Sequence, residues 1–154
     1  MKLPLGPCER LCYKDLESSM HHAISHRRTV LVIEDDPDQR ETLQRQLEAR
    51  DVRVVVAIDG AHGLAVLERC HPDAVLSDIR MPEMDGLEFA RRMRNDSRYR
   101  GMPLIAVTVL NDLSDVMATW RAGFDDHLPK PLSAQALDRI VQRLVTRSST
   151  RPEQ

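Results

Sequence analysis

Acidic, hydroxyl and amino side chains follow directly after short apolar segments of this 154-residue chain. These residues are Glu34, Asp35, Asp36, Asp78, Thr108 and Lys130. Carboxylates that are brought together repel one another, and a divalent cation relieves that repulsion. Because ligand sets made only of oxygen atoms suit Mg²⁺, a cluster of these acids predicts a magnesium site. Taken alone, the trio 34–36 is equally consistent with an acidic helix N-terminus, so the prediction depends on the other residues.

The apolar segments have the length and composition of buried β-strands. They are too short for helices and do not alternate with polar residues, as expected for strands covered on both faces. Their starts lie about 20–30 residues apart, which leaves room for one helix in each gap. The segments are 30–33, 52–56, 74–76, 104–107 and, more weakly, 127–128. This rhythm predicts βαβ units and a parallel sheet.

The intervening segments carry apolar residues at helical spacing. Asp36 as an N-cap, Pro37 at the first helical position and Gln39 after them mark the start of the first helix. Further helices are predicted at 60–70, 86–95 and 112–122, and the last helix begins after Ser133. We therefore predict an α/β fold, a (βα)₅ domain over about 29–147. In such a sheet ligands bind beyond the carboxyl ends of the strands, where the polar residues follow.

Composition disfavours several classes of protein. The formal net charge of −2 argues against bulk binding to nucleic acid or to a membrane surface. No apolar run approaches the roughly 18–20 residues that a membrane-spanning helix needs. Three cysteines at irregular spacing argue against a secreted disulfide scaffold, so we expect a cytoplasmic protein.

An ordered set of motifs carries a family resemblance. The motifs are VLVIEDDP at 30–37, DIRMPEMDG at 78–86, AVT at 106–108, AGFDD at 122–126 and LPKP at 128–131. Together they resemble the bacterial response-regulator receiver domain, the CheY-like family, over about residues 29–147. The resemblance implies a doubly wound, flavodoxin-like sheet of five parallel strands in the order 2-1-3-4-5.

The resemblance also implies a phosphoacceptor and a magnesium site. Asp78 would take a phosphoryl group from the phosphohistidine of a sensor histidine kinase or a phosphotransfer protein. Asp35, Asp78 and the main-chain carbonyl of Arg80 would ligate Mg²⁺ directly, and Glu34 would hold it through water. Such a domain is a signalling switch and not a turnover enzyme on an external substrate.

Two further residues would serve the phosphoryl group by the same resemblance. Lys130 would pair with one phosphoryl oxygen, after a cis Lys130–Pro131 peptide bond that aims the lysine into the site. Thr108 would donate its hydroxyl to another oxygen, and its movement would start the change that reaches partners. In this family the output surface is the face formed by the fourth helix, the fifth strand and the fifth helix.

Three further residues bear on switching or on access to the phosphoryl group. His127 stands where the family usually has a Tyr or Phe that swings inward, so we expect either a reduced rotamer switch or a pH-sensitive face. Val109 is larger than the usual Ala or Gly, and should narrow the approach to the phosphoryl group. Trp120 is either partly buried in the core or an exposed anchor for a partner.

The two flanks lie outside the resemblance. Residues 1–28 form an N-terminal extension in which apolar positions permit one amphipathic helix, either packed on its own domain or used for a partner or a dimer. Residues 148–154 are predicted to be a flexible polar tail.

Alternative functions remain open at this point. The chain could be a receiver-shaped interaction domain that works without phosphorylation, or a receiver fragment of a hybrid histidine kinase or a larger regulator. A Mg²⁺-dependent phosphohydrolase is disfavoured, because Arg80 stands where that class places a second aspartate. The downstream partner is a protein of unknown identity, and a homodimer is one alternative.

Overall fold

A five-stranded parallel sheet forms the centre of the computed structural model, which describes residues 27–109 and 113–147. The strands are β1 (Thr29–Ile33), β2 (Arg53–Ala57), β3 (Ala74–Ser77), β4 (Leu104–Thr108) and β5 (Asp126–Pro129). Their order is 2-1-3-4-5 and every neighbouring pair is parallel. The predicted α/β fold and strand order are therefore confirmed.

Among the described residues, four α-helices and one short 3₁₀ turn connect the strands, and a fifth α-helix follows β5. They are α1 (Pro37–Glu48), α2 (Gly60–Cys70), α3 (Gly86–Asn95), the 3₁₀ turn Ser97–Tyr99, α4 (Leu113–Ala122) and α5 (Ala134–Thr146). Four of the helices begin with a side chain that accepts hydrogen bonds from backbone N–H groups of the first turn. These caps are Asp36 for α1, Asp59 for α2, Asp85 for α3 and Ser133 for α5. These caps satisfy donors that have no partner inside the helix, and so define where each helix leaves the sheet edge.

Both faces of the sheet are covered by helices. Leu31 and Ile33 of β1 belong to a buried cluster with Phe89 of α3. Val30 and Val32 of the same strand belong to a second cluster on the other face, packed with residues of α1 and α5. Since every position of β1 except its first is buried, the strand is continuously apolar and shows no alternation.

The predicted flanks lie almost entirely outside the described residues. This applies to the predicted helix in the N-terminal extension up to residue 26 and to the tail 148–154. Arg27 and Arg28, the last two residues of that extension, are not helical and form ion pairs with Asp51 and Asp73. No helix within the described ranges is long and apolar enough to cross a bilayer.

Candidate functional site

The three acids after β1 have separate structural positions. Asp36 is the cap of α1, and its Oδ1 accepts the N–H groups of Asp38 at 2.9 Å and Gln39 at 3.0 Å. Glu34 is only 4% exposed and points into the sheet edge, whereas Asp35 is exposed. The acidic helix N-terminus thus accounts for Asp36 alone, and leaves Glu34 and Asp35 for other chemistry.

Asp78 is held rigidly at the end of β3. Its N–H donates to the Ile33 carbonyl at 3.0 Å, which extends the β1–β3 ladder by one residue. Its Oδ1 accepts the N–H of Ile79 at 2.6 Å, and the side chain is buried. The following loop closes on it, since the N–H of Gly86 donates to the Ile79 carbonyl at 2.9 Å.

The acids that follow β1 and β3 form one cluster. Glu34, Asp35 and Asp78 each offer a carboxylate oxygen, and these oxygens lie within 4.8 Å of one another. An all-oxygen donor set of this kind fits a hard cation such as Mg²⁺, which uses one or two carboxylates and keeps several waters.

The ammonium group of Lys130 lies against the same acids. Its Nζ donates to Glu34 Oε2 at 2.6 Å, to Gln39 Oε1 at 2.7 Å and to Asp78 Oδ2 at 3.1 Å. The Lys130–Pro131 peptide bond is cis, as the family resemblance implies. The N–H of Lys130 donates to the Thr108 carbonyl at 3.3 Å, which ties this loop to the end of β4.

Burial and charge work in opposite directions on this ion pair. Burial raises the pKa of Glu34, and the hydrogen bonds from Lys130 and the Asp36 N–H offset only part of that rise. Burial alone would lower the pKa of Lys130. The hydrogen bond to Glu34 and the charge of Asp78 outweigh it, so the pKa of Lys130 lies above its ordinary value. Lys130 is therefore a permanent positive charge at neutral pH.

The sequence of this domain matches a known family over most of its length. The sequence model of the response regulator receiver domain family matches residues 30–142. The chain belongs to that family. Response regulator receiver domains act in two-component signalling, interact with histidine kinases and typically bind Mg²⁺ at an acidic pocket.

Individual relatives agree with this assignment. A protein of Leptolyngbya boryana described as an uncharacterized 14.6 kDa protein in the sodA1 3′ region is 40% identical over 114 residues, 74% of this chain and 87% of that protein. Response regulator MprA of Mycobacterium sp. strain KMS is 37% identical over 120 residues, 78% of this chain and 51% of MprA. This chain therefore spans about half the length of the MprA regulators that it matches.

A solved structure supports the same fold. The signal receiver domain of a signal transduction histidine kinase from Syntrophus aciditrophicus is 32% identical, with a TM-score of 0.74. The match covers 82% of this chain and 95% of that one. Receiver domains of both regulators and kinases are thus similar to this chain.

The receiver's β4 end carries the predicted hydroxyl. Thr108 is buried and lies beside Pro129 of β5 in the parallel register. Val109, the next residue, is 56% exposed and borders a cavity of about 480 Å³ together with Lys130 and Leu132. The larger side chain at 109 thus lies at an open surface. Leu110, two residues past Thr108, is outside the described residues.

Arg80 lies at the opposite rim of the receiver site. Its side chain is exposed, and its Nη2 is 3.7 Å from Oδ2 of Asp115 in the first turn of α4. The contact joins the loop after β3 to α4 across the mouth. The predicted contribution of the Arg80 carbonyl to a metal site stays a prediction.

The predicted switch residues of the receiver touch each other. The rings of Trp120 and His127 meet edge to face, with centroids 5.8 Å apart and planes at 87°. Nδ1 of His127 is buried without a hydrogen-bond partner among the described residues. Trp120 is 49% exposed and its ring contacts His127, so it is only partly buried; its use as an anchor for a partner stays a prediction.

Sequence reasoning missed two residues of this receiver. From the sequence, Gln39 is predicted only to mark the start of a helix, yet its side chain contacts Lys130, which lies 91 positions away. Arg94 stands among several arginines of α3, a pattern typical of a solvated helix face, but its side chain is only 17% exposed and donates five hydrogen bonds. Neither role leaves a local sequence pattern.

Proposed function

We propose that this receiver is a phosphoacceptor switch in which Asp78 takes a phosphoryl group from a phosphohistidine. The carboxylate oxygen attacks phosphorus, an O–P bond forms, the N–P bond breaks and the electron pair returns to the histidine ring. The observation that carries the proposal is the Lys130 ammonium, 3.1 Å from Asp78 beside a cluster of two further acids. A buried carboxylate beside a fixed cation and a candidate metal site is suited to phosphoryl transfer.

Other residues would divide the work around Asp78. Asp35, Asp78 and the Arg80 carbonyl would hold Mg²⁺ directly and Glu34 through water, and the ion would neutralise charge on the phosphoryl oxygens. Lys130 would supply a point charge to one oxygen. Thr108 would donate its hydroxyl to another and would be the first group to move.

The output surface in this proposal is the α4–β5–α5 face. An apolar stripe of Leu113, Met117 and Trp120 is exposed along α4, which is unusual for a helix packed on a sheet. His127 connects this stripe to β5 through its ring contact with Trp120. Phosphorylation would change which groups this face offers to a protein partner, with no turnover of an external substrate.

The partners follow from the same proposal. The phosphoryl donor is a sensor histidine kinase or a phosphotransfer protein, and the transfer takes place in the cytoplasm. The downstream target is a protein or a second copy of this chain. A receiver that works through docking without phosphorylation is the alternative that the first experiment separates.

Intact-mass spectrometry tests the phosphoacceptor directly. The chain is incubated with Mg²⁺ and acetyl phosphate, and so are the variants Asp78→Asn and Asp38→Asn. We expect one phosphoryl adduct on the wild type and on Asp38→Asn, whose exposed acid lies in the same region, and none on Asp78→Asn. An adduct of equal yield on Asp78→Asn would exclude Asp78 as the acceptor. No adduct on any protein, also with phosphoramidate, would favour the docking alternative.

A further inference from the structure

Gln39 is the one neutral partner of the Lys130 ammonium group among the described residues. An ammonium carries three N–H donors, and here each has an acceptor: Glu34, Gln39 and Asp78. Two of these acceptors are carboxylates and the third is an amide oxygen. The amide must present its oxygen, because its nitrogen can only donate and so can the ammonium.

The backbone holds Gln39 in place for this contact. Its N–H is bound by the capping carboxylate of Asp36 at 3.0 Å, in the first turn of α1. The 2.7 Å contact between Gln39 Oε1 and Lys130 Nζ is shorter than the 3.1 Å contact between Nζ and Asp78 Oδ2. Before any phosphoryl group arrives, the ammonium is therefore shared between the acceptor residue and α1.

A phosphoryl group on Asp78 brings anionic oxygens that compete for the same three N–H donors. An ammonium is attracted more strongly to an anionic oxygen than to a neutral amide oxygen, because Coulomb attraction between opposite charges adds to the hydrogen bond. The amide of Gln39 is the weakest of the three present acceptors by that measure. The ammonium can therefore exchange it for a phosphoryl oxygen without giving up a carboxylate.

We infer that Gln39 is a positioning residue that occupies the third N–H of Lys130 at rest and yields it to the phosphoryl group. The inference rests on the proposed phosphorylation of Asp78 and adds to it a residue that sets how readily the group is accepted. A neutral acceptor at this position keeps Lys130 in place and remains displaceable. A carboxylate there would hold the ammonium as firmly as Glu34 does.

Two substitutions at Gln39 have opposite expected effects. Gln39→Glu keeps the size and the acceptor and adds a charge, so it should compete with the incoming anion. Gln39→Leu keeps the approximate size and removes the acceptor, so no exchange is needed. The control is Gln46→Glu, which adds the same charge two turns along α1 on the border of the same cavity. All three variants should bind Mg²⁺ like the wild type.

The measurement is the affinity for fluoroberyllate, an anionic mimic of the phosphoryl group, by ¹⁹F NMR in saturating Mg²⁺. We expect binding about tenfold weaker in Gln39→Glu, unchanged or a few-fold tighter in Gln39→Leu, and within about twofold of wild type in Gln46→Glu. A crystal structure of the wild-type complex should show Lys130 Nζ on fluoroberyllate and beyond hydrogen-bond distance of Gln39 Oε1.

Other results would overturn the inference. Tenfold weaker binding in Gln39→Leu would mean that the amide keeps Lys130 in place for the phosphoryl group and does not yield. Equal effects of Gln39→Glu and Gln46→Glu would reduce the role of residue 39 to charge alone. If the wild type binds no fluoroberyllate, the failure belongs to the proposed phosphoacceptor function and not to Gln39.

Discussion

Glu34 is the residue at which burial and site chemistry oppose each other most clearly. It is almost fully buried, yet it lies beside Asp78 and accepts a hydrogen bond from Lys130. Burial raises its pKa above the ordinary value despite that hydrogen bond. The ionised carboxylate that a metal site needs is therefore held at a cost in folding stability.

The sign of this effect on stability follows from linkage. Because the pKa of Glu34 is higher in the folded state, its stabilising contribution is fully present below the unfolded-state pKa. That contribution is lost as the pH rises through the folded-state pKa. We expect Glu34→Gln to raise the Tm of the Mg²⁺-free protein by a few degrees at pH 7, with less gain at pH 4.5.

Thermal unfolding in chelator at several pH values measures this prediction. Asp38→Asn is the control, since it removes an exposed acid from the same region and should change the Tm little at either pH. A lower Tm for Glu34→Gln at pH 7 would contradict the prediction. It would show that the ion pair with Lys130 outweighs the burial of the carboxylate.

Arg94 shows how one side chain can join several elements. It extends from α3 and connects the 3₁₀ turn, the segment before β4 and the segment between α4 and β5. Its acceptors are the carbonyl oxygens of Tyr99, Arg100, Met102 and Gly123 and the carboxylate of Asp125. Asp125 in turn accepts the N–H of Leu104 at the start of β4.

Removing that side chain should destabilise the fold strongly. We expect Arg94→Ala to lower the free energy of unfolding by about 2–4 kcal/mol, because it leaves partly buried acceptors without a partner. Urea denaturation measures the change. Arg91→Ala on the same helix removes an exposed side chain paired only with Glu88 at 3.7 Å, and should cost less than about 0.5 kcal/mol. Equal losses in both variants would contradict the role of Arg94.

Gly86 allows the loop after β3 to close on Asp78. A Cβ atom at this position would overlap the Asp78 carbonyl oxygen and lie 2.9 Å from Ile79 Cα. Since these are backbone atoms that cannot easily move, Gly86→Ala should lower the free energy of unfolding by about 1–3 kcal/mol and displace Asp78. Gly101→Ala meets no atom within 4 Å and should be nearly neutral. Unfolding curves and the yield of the phosphoryl adduct are measured for both variants. Equal stability and equal yield in the two variants would contradict this role of Gly86.

The elements and the main acids were predictable because each leaves a local pattern. A strand buried on both faces is continuously apolar, and Asp78 follows directly after one such strand. The two missed contacts are different in kind. The hydrogen bond from Lys130 to Gln39 joins residues 91 positions apart, and the burial of Arg94 depends on where α4 and β5 pack. Such roles arise only when the elements are assembled.

At the scale of the whole molecule, the site and the proposed output face share β5 and its following loop. Lys130 lies three residues after His127, so a change at the ammonium is close to the ring that contacts Trp120. Within the part of the chain that the structure describes, Nδ1 of His127 has no hydrogen-bond partner that would fix the ring in its present place. We therefore expect the contact between the Trp120 and His127 rings to change when a phosphoryl group binds at Asp78.

The single tryptophan makes this coupling measurable. We expect fluoroberyllate with Mg²⁺ to change the emission of Trp120, because movement of His127 alters the ring contact. The change should be absent in Asp78→Asn and strongly reduced in Thr108→Val, which keeps the shape of the side chain and removes its hydroxyl. If ¹⁹F NMR shows binding to the wild type but the emission of Trp120 is unaltered, the ring pair is not coupled to the site at Asp78.

The most direct test of the phosphoacceptor is chemical trapping of the acyl phosphate. The protein is phosphorylated in Mg²⁺, reduced with sodium borohydride and digested, and the peptides are sequenced by mass spectrometry. Reduction converts a phosphorylated aspartate to homoserine, which marks the residue itself. We expect homoserine at position 78 alone, and none when Mg²⁺ is removed by chelator. Homoserine at Asp35, or phosphorylated protein without homoserine at 78, would contradict the central claim.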